Sequence, residues 1–154
     1  MEKLKYLIGT VAVYIILSTS GCGKDDEVLT AQQEASLVLK GTWGNAQVAS
    51  APVLGADGAL ENLVLTFEVS GNHEPAAFSA TGASDIFQTD ATSKWLWENS
   101  SSTTGVSLLN VSPVQRLTIE NMTDKNLTVS FLFDSPIGGR TRGIGEYSIS
   151  FTKK

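Results

Sequence analysis

Beyond residue 41 the apolar positions of this chain recur every second residue. Over 61–69, Leu63, Leu65, Phe67 and Val69 share one face against Asn62, Val64, Thr66 and Glu68. Over 126–134, Leu127, Val129, Phe131 and Phe133 oppose Thr128, Ser130 and Leu132, and near the end Tyr147, Ile149 and Phe151 alternate with Ser148, Ser150 and Thr152. A period of two with one apolar face marks half-buried strands of an antiparallel sheet. Shorter alternations add strands over 42–49, 76–80, 85–88, 94–98, 106–110 and 114–121. Turn-forming residues separate them: Asp57-Gly58, Gly71-Asn72, Gly82-Ala83, the Ser/Thr run 99–105, Thr123-Asp124-Lys125 and 136–139.

One stretch breaks this rhythm. Thr30-Ala-Gln-Gln33 has capping-box spacing, in which the threonine hydroxyl takes an orphan N–H and the glutamine reaches back. The spacing predicts a helix over 31–40 with Ala35, Val38 and Leu39 on one stripe and Gly41 as a left-handed stop. About three turns do not hold alone, so the helix must pack on the sheet. The expected fold is all-β: an antiparallel meander of about eight or nine strands after one short helix, closed into a small barrel or, alternatively, packed as a β-sandwich.

The N-terminal residues follow a different logic. Lys3 and Lys5 precede an apolar run over 6–17, the charged and hydrophobic regions of an export signal. The run is shorter than the ~20 apolar residues of a spanning helix. Ser20 and Gly21 then lead into Cys22, with Thr19 three positions before it. This segment resembles the lipobox of bacterial lipoproteins, which implies cleavage before Cys22, a diacylglycerol on its thiol and an acyl chain such as palmitate on the new amine. Gly23-Lys24-Asp25-Asp26 resembles the export signal of surface lipoproteins in Bacteroidota. Together these imply a signal over 1–21, a lipidated tether over 22–29 and one domain over 30–154, held to the outer membrane at the cell surface. Two or more acyl chains anchor stably where one does not.

The chain carries a net charge of −5, with 16 acidic residues against 11 lysines and arginines. An acidic surface argues against nucleic acid as a partner. Cys22 is the sole cysteine, so no disulfide forms within the chain.

A short helix running into Gly41-Thr42-Trp43 on the first strand resembles lipocalins and lipocalin-like lipoproteins. The resemblance implies that Trp43 closes one barrel end under a late arginine, with Arg142 the candidate and Arg140 its substitute. Leu63-Val-Leu-Thr-Phe67, Trp95-Leu-Trp97, Leu127-Thr-Val-Ser-Phe131 and Gly145-Glu-Tyr-Ser-Ile-Ser-Phe151 extend the likeness to a group of small Bacteroidota lipoproteins.

Catalytic chemistry finds little material. His73 is the only histidine, in a Gly71-Asn-His-Glu74 turn, and no serine sits in a nucleophile elbow. Zinc needs three or four ligands, which one histidine and a lipidated cysteine do not supply. Asp85 and Asp90 lack calcium-loop spacing and read as turn formers. The glycine-rich 138–145 run lacks the Gly-Lys-Ser/Thr and the helix of a phosphate loop. The expectation is a non-enzymatic module without cofactor or metal. Trp95 and Trp97 project from one face of their strand. Facing inward, they line a core or, with Phe67 and Phe131, a cavity for a small apolar ligand. Facing outward, they form a platform for a glycan. A structural role or a protein partner is the remaining alternative.

Overall fold

The computed structural model describes residues 28–52, 60–134 and 143–154. Helix α1 (Ala31–Leu39) is followed by β1 (Gly41–Ser50), β2 (Val64–Val69), β3 (Pro75–Thr81), β4 (Phe87–Gln88), β5 (Lys94–Trp97), β6 (Gly105–Leu109), β7 (Ser112–Pro113), β8 (Arg116–Met122), β9 (Asn126–Phe133) and β10 (Gly145–Lys153). Eight strands close a barrel in the order β1-β10-β9-β8-β6-β5-β3-β2, every pair antiparallel. The fold is the small lipocalin-like barrel rather than the sandwich. Closure leaves the barrel sheet itself without an edge strand.

The two-residue alternation maps directly onto the wall. Leu127, Val129, Phe131 and Phe133 of β9 and Tyr147, Ile149 and Phe151 of β10 are buried, and they lie side by side in register from Leu127 opposite Phe151 to Phe131 opposite Tyr147. Leu65 and Phe67 of β2, Phe78 and Ala80 of β3, Trp95 of β5, Val106 and Leu108 of β6, and Leu117 and Ile119 of β8 complete the inner face.

Three local departures have physical causes. The 85–88 segment contributes only β4, because Ile86 and Phe87 both donate their N–H groups to the Ala83 carbonyl and so coil into a turn. That short strand pairs with β7, an element with no periodic signal, in a two-stranded ribbon apart from the barrel wall. In the 61–69 segment the strand begins only at Val64, since Leu63 donates to Leu60 in a turn, yet Leu60 and Leu63 are both buried. Finally, α1 ends at Leu39 with Lys40 as its cap, whose N–H returns to the Ser36 carbonyl. Gly41 has a positive φ of 130° but serves as the first residue of β1, not as a helix stop.

Candidate functional site

Helix α1 lies across the barrel end where β1 starts and β10 finishes. Its capping box forms as expected, with Thr30 Oγ1 accepting from Gln33 N–H and Gln33 Oε1 accepting from Thr30 N–H. The glutamines then bind the surrounding loops. Gln32 Nε2 donates to the Asn99 and Ser102 carbonyls at 2.6 and 2.8 Å, and Gln33 Nε2 donates to the Asn72 carbonyl and to Glu74 Oε1. Beneath them Leu39 and Ser36 are fully buried, with Ala35 and Val38 half-buried at the margin. Ser36 is inside because its hydroxyl accepts the indole N–H of Trp97 at 3.0 Å.

Trp43 sits at this same end, fully buried, with its indole N–H donated to the Leu39 carbonyl at 2.8 Å. Among the described residues the cation over its ring is Lys153, with Nζ 4.9 Å from the centroid. Trp43 and Lys153 face each other in the β1–β10 register, and Lys153 Nζ also donates to the Val38 carbonyl at 2.9 Å. The helix has no basic residue in its own last turn, so this ammonium supplies the positive charge that the carbonyl end of a helix favours. Gly41 belongs to the arrangement, because a Cβ there would fall 2.8 Å from Lys153 Cε. The spacing of Gly41 and Trp43 thus has a mechanical reading: the glycine gives the lysine stem its path and the tryptophan receives the head.

The four residues proposed to meet a ligand all lie in the interior. Trp95 is fully buried and donates its indole N–H to the Glu68 carbonyl at 2.7 Å, Phe67 and Phe131 are buried, and Trp97 is half-buried beside α1. Trp95 and Trp97 share a face as their spacing requires, while Leu96 between them is 42 % exposed on the outer side. Their rings belong to one chain of aromatic contacts. From Trp97 it runs through Trp95, Phe67, Phe78, Phe87 and Phe131 to Tyr147, with successive centroids 5.1 to 6.5 Å apart. Edge-to-face geometry dominates, and Phe131 and Tyr147 stack with ring planes 10° apart. Such pairs add about 0.5–1.5 kcal/mol each beyond the area they bury.

Phe87 is the link that sequence periodicity did not reveal. It stands on β4, outside the barrel wall, and reaches in at the end opposite α1 to touch Phe78 and Phe131. Just before β5, buried Ser93 donates to the Asn110 carbonyl at 2.8 Å and accepts from the Asp90 N–H at 2.9 Å. Asp90 is a turn former: its carboxylate accepts from the Thr92 N–H and hydroxyl, both at 2.7 Å, and these bonds hold its pKa below the usual value. His73 occupies a turn with a φ of 62°, its N–H donated to the Ser70 carbonyl. Among the described residues no three His, Cys, Asp or Glu side chains gather as metal ligands, and no helix is long and apolar enough to cross a membrane.

Cys22, Lys24, Asp25, Asp26, Arg140 and Arg142, with the turns at Asp57-Gly58 and 136–139, lie outside the described residues. Sequence reasoning missed Ser36, Phe87 and Lys153. Only Lys153 had left a signal, as the next odd-numbered position after Tyr147, Ile149 and Phe151 on the inward face. Compared with models of known families, with curated proteins and with solved structures, the chain matches none.

Proposed function

We propose that this protein is an outer-membrane lipoprotein, anchored through Cys22, whose barrel is a non-catalytic module acting at the cell envelope through its outer surface. The observation that carries this reading is the aromatic chain from Trp97 to Tyr147. Each ring touches the next along the barrel, so among the described residues an apolar ligand in this row would have to displace one of them. Truncating such a ring costs about 3–5 kcal/mol, a measure of what a ligand would have to offset. Trp95, Trp97, Phe67 and Phe131 then serve as core, and recognition falls to side chains on the outside of the wall. Residues 22–29 immediately precede α1 in the sequence, so a lipid on Cys22 would hold the helix-covered end nearest the membrane.

Two measurements test the proposal. Expression of the full chain in a Gram-negative host with labelled palmitate should label the wild type and leave Cys22→Ala unlabelled and released from the membrane. Titration of the native protein with fatty acids, haem and 1-anilinonaphthalene-8-sulfonate should leave tryptophan emission unchanged. A saturable response to one of these would return the function to the barrel interior, and an unlabelled wild type would overturn the anchor.

A further inference from the structure

We propose that the outer face of β9, β10 and β1 binds a neutral saccharide. The proposal rests on the reading that the barrel works through its exterior. Strand register builds the site. Asn126 lies opposite Thr152, and Thr128 opposite Ser150, while on the other side of β10 Thr152 faces Gly44 and Ser150 faces Gln47. Two rows of polar positions therefore cross three strands, with neighbours about 4.8 Å apart between strands and about 6.8 Å apart along them.

The surface is hollowed where the register between β1 and β10 slips between Gly44 and Gln47, a bulge that inserts one extra residue on β1. At the rim Lys154 fills the place of the side chain that Gly44 lacks, since a Cβ there would collide with the lysine stem. Asn45 takes the inserted position with a left-handed φ of 52°, and its carboxamide bends over the strand to donate to Thr152 Oγ1 at 2.7 Å. The depression that results measures about 490 Å³, with the buried Phe151 among its lining residues.

Its chemistry selects the ligand class. The six polar side chains lining the hollow are Asn45, Gln47, Asn126, Thr128, Ser150 and Thr152, none of them charged, with the Lys154 ammonium outside them at the Gly44 rim. Hydroxyl and carboxamide groups each donate and accept, as a sugar hydroxyl does. Thr128 and Ser150 pair with each other at 3.0 Å, as Asn45 pairs with Thr152. The carboxamides of Gln47 and Asn126 have no partner among the described residues, and they stand at diagonal corners of the grid with the paired hydroxyls between them. By the strand spacings the two corners lie about 12 Å apart, a span that a di- or trisaccharide bridges with a hydroxyl at each end. Phe151 is too buried to stack on a sugar face, so hydrogen bonds alone hold the ligand and binding is weak, with Kd near 1 mM, equivalent to about −4 kcal/mol.

The test uses the full chain in a non-glycosidic detergent and saturation-transfer NMR with four probes: maltotriose, cellotriose, xylotriose and mannotriose. Saturable transfer to at least one of them is expected, weakened fivefold or more by both Gln47→Ala and Asn126→Ala, whose exposed positions leave the far-ultraviolet circular dichroism unchanged. The outward-facing Leu132→Ala, remote from the hollow, should bind as the wild type does. No transfer to any probe, unchanged affinity in the two carboxamide variants, or tighter binding of the matching uronate than of the neutral sugar would overturn the proposal. The dye titration of the interior reads the parent proposal independently, so failure of one is not mistaken for failure of the other.

Discussion

Lys153 Nζ lies 4.9 Å from the centre of the Trp43 ring and 2.9 Å from the Val38 carbonyl oxygen, so one ammonium joins the last strand, the first strand and the helix. A cation over an indole is worth about 0.5–2 kcal/mol, and a charged hydrogen bond about 1.5–3 kcal/mol. The two share one group and do not add. Lys153→Met keeps the stem beside Gly41 and removes the charge, and should lower unfolding stability by about 1–3 kcal/mol in urea titrations. Loss below 0.5 kcal/mol would show that the ammonium is not part of the closure.

The second bond across this end joins Ser36 and Trp97. Ser36→Ala leaves an indole N–H without an acceptor, and Trp97→Phe leaves a buried hydroxyl without its donor, each costing about 1–3 kcal/mol. The double variant has neither orphan, so its loss should fall short of the sum of the two single losses by at least about 0.5 kcal/mol. Strict additivity in a double-mutant cycle would dissolve the link between α1 and β5.

Phe87 tests whether the interior is filled. Its ring is 2 % exposed and touches both Phe78 and Phe131 from outside the barrel wall. Phe87→Ala should cost about 3–5 kcal/mol and leave an apolar hole at the end opposite the helix. Benzene should then raise the melting temperature of the variant in proportion to occupancy and leave the wild type unchanged. Equal shifts in both would mean that the native barrel already holds a cavity.

The barrel was legible because its wall obeys one rule. Wherever a strand is long, as at 127–133 and 147–151, alternation names the inward residues, and the structure buries them. Lys153 follows the same rule with an unexpected residue type, for a lysine at an inward position must find a carbonyl or a ring for its head. Phe87 and Ser36 obey no period. The first sits in a strand of two residues, and the second is polar, buried only because Trp97 lies 61 positions away and needs an acceptor. The polar hollow was still less visible. Asn45 and Thr152 are 107 residues apart, and only the β1–β10 register with its bulge brings them within 2.7 Å.

Tyr147 gives the barrel an alkaline limit. Its ring stacks on Phe131, its hydroxyl donates to the Gly143 carbonyl at 2.7 Å, and burial raises its pKa above the ordinary 10.0 by penalising the phenolate. Below pH 10 the phenol is protonated in both folded and unfolded chains, so its contribution to stability is fully present. As pH rises past 10 the unfolded chain releases its proton first, and stability falls until the folded phenol also ionises. Other groups of an unfolding chain also ionise above about pH 9, so the wild-type curve alone does not isolate the tyrosine. Tyr147→Phe does. At neutral pH it should be less stable by about 1 kcal/mol, the value of the lost hydrogen bond. Above pH 10 that gap should narrow, because only the wild type retains a phenol to ionise. Urea midpoints at pH 7, 9, 10 and 11 measure it directly, and a gap that stays constant or widens with pH would show that the folded phenol ionises as readily as the unfolded one.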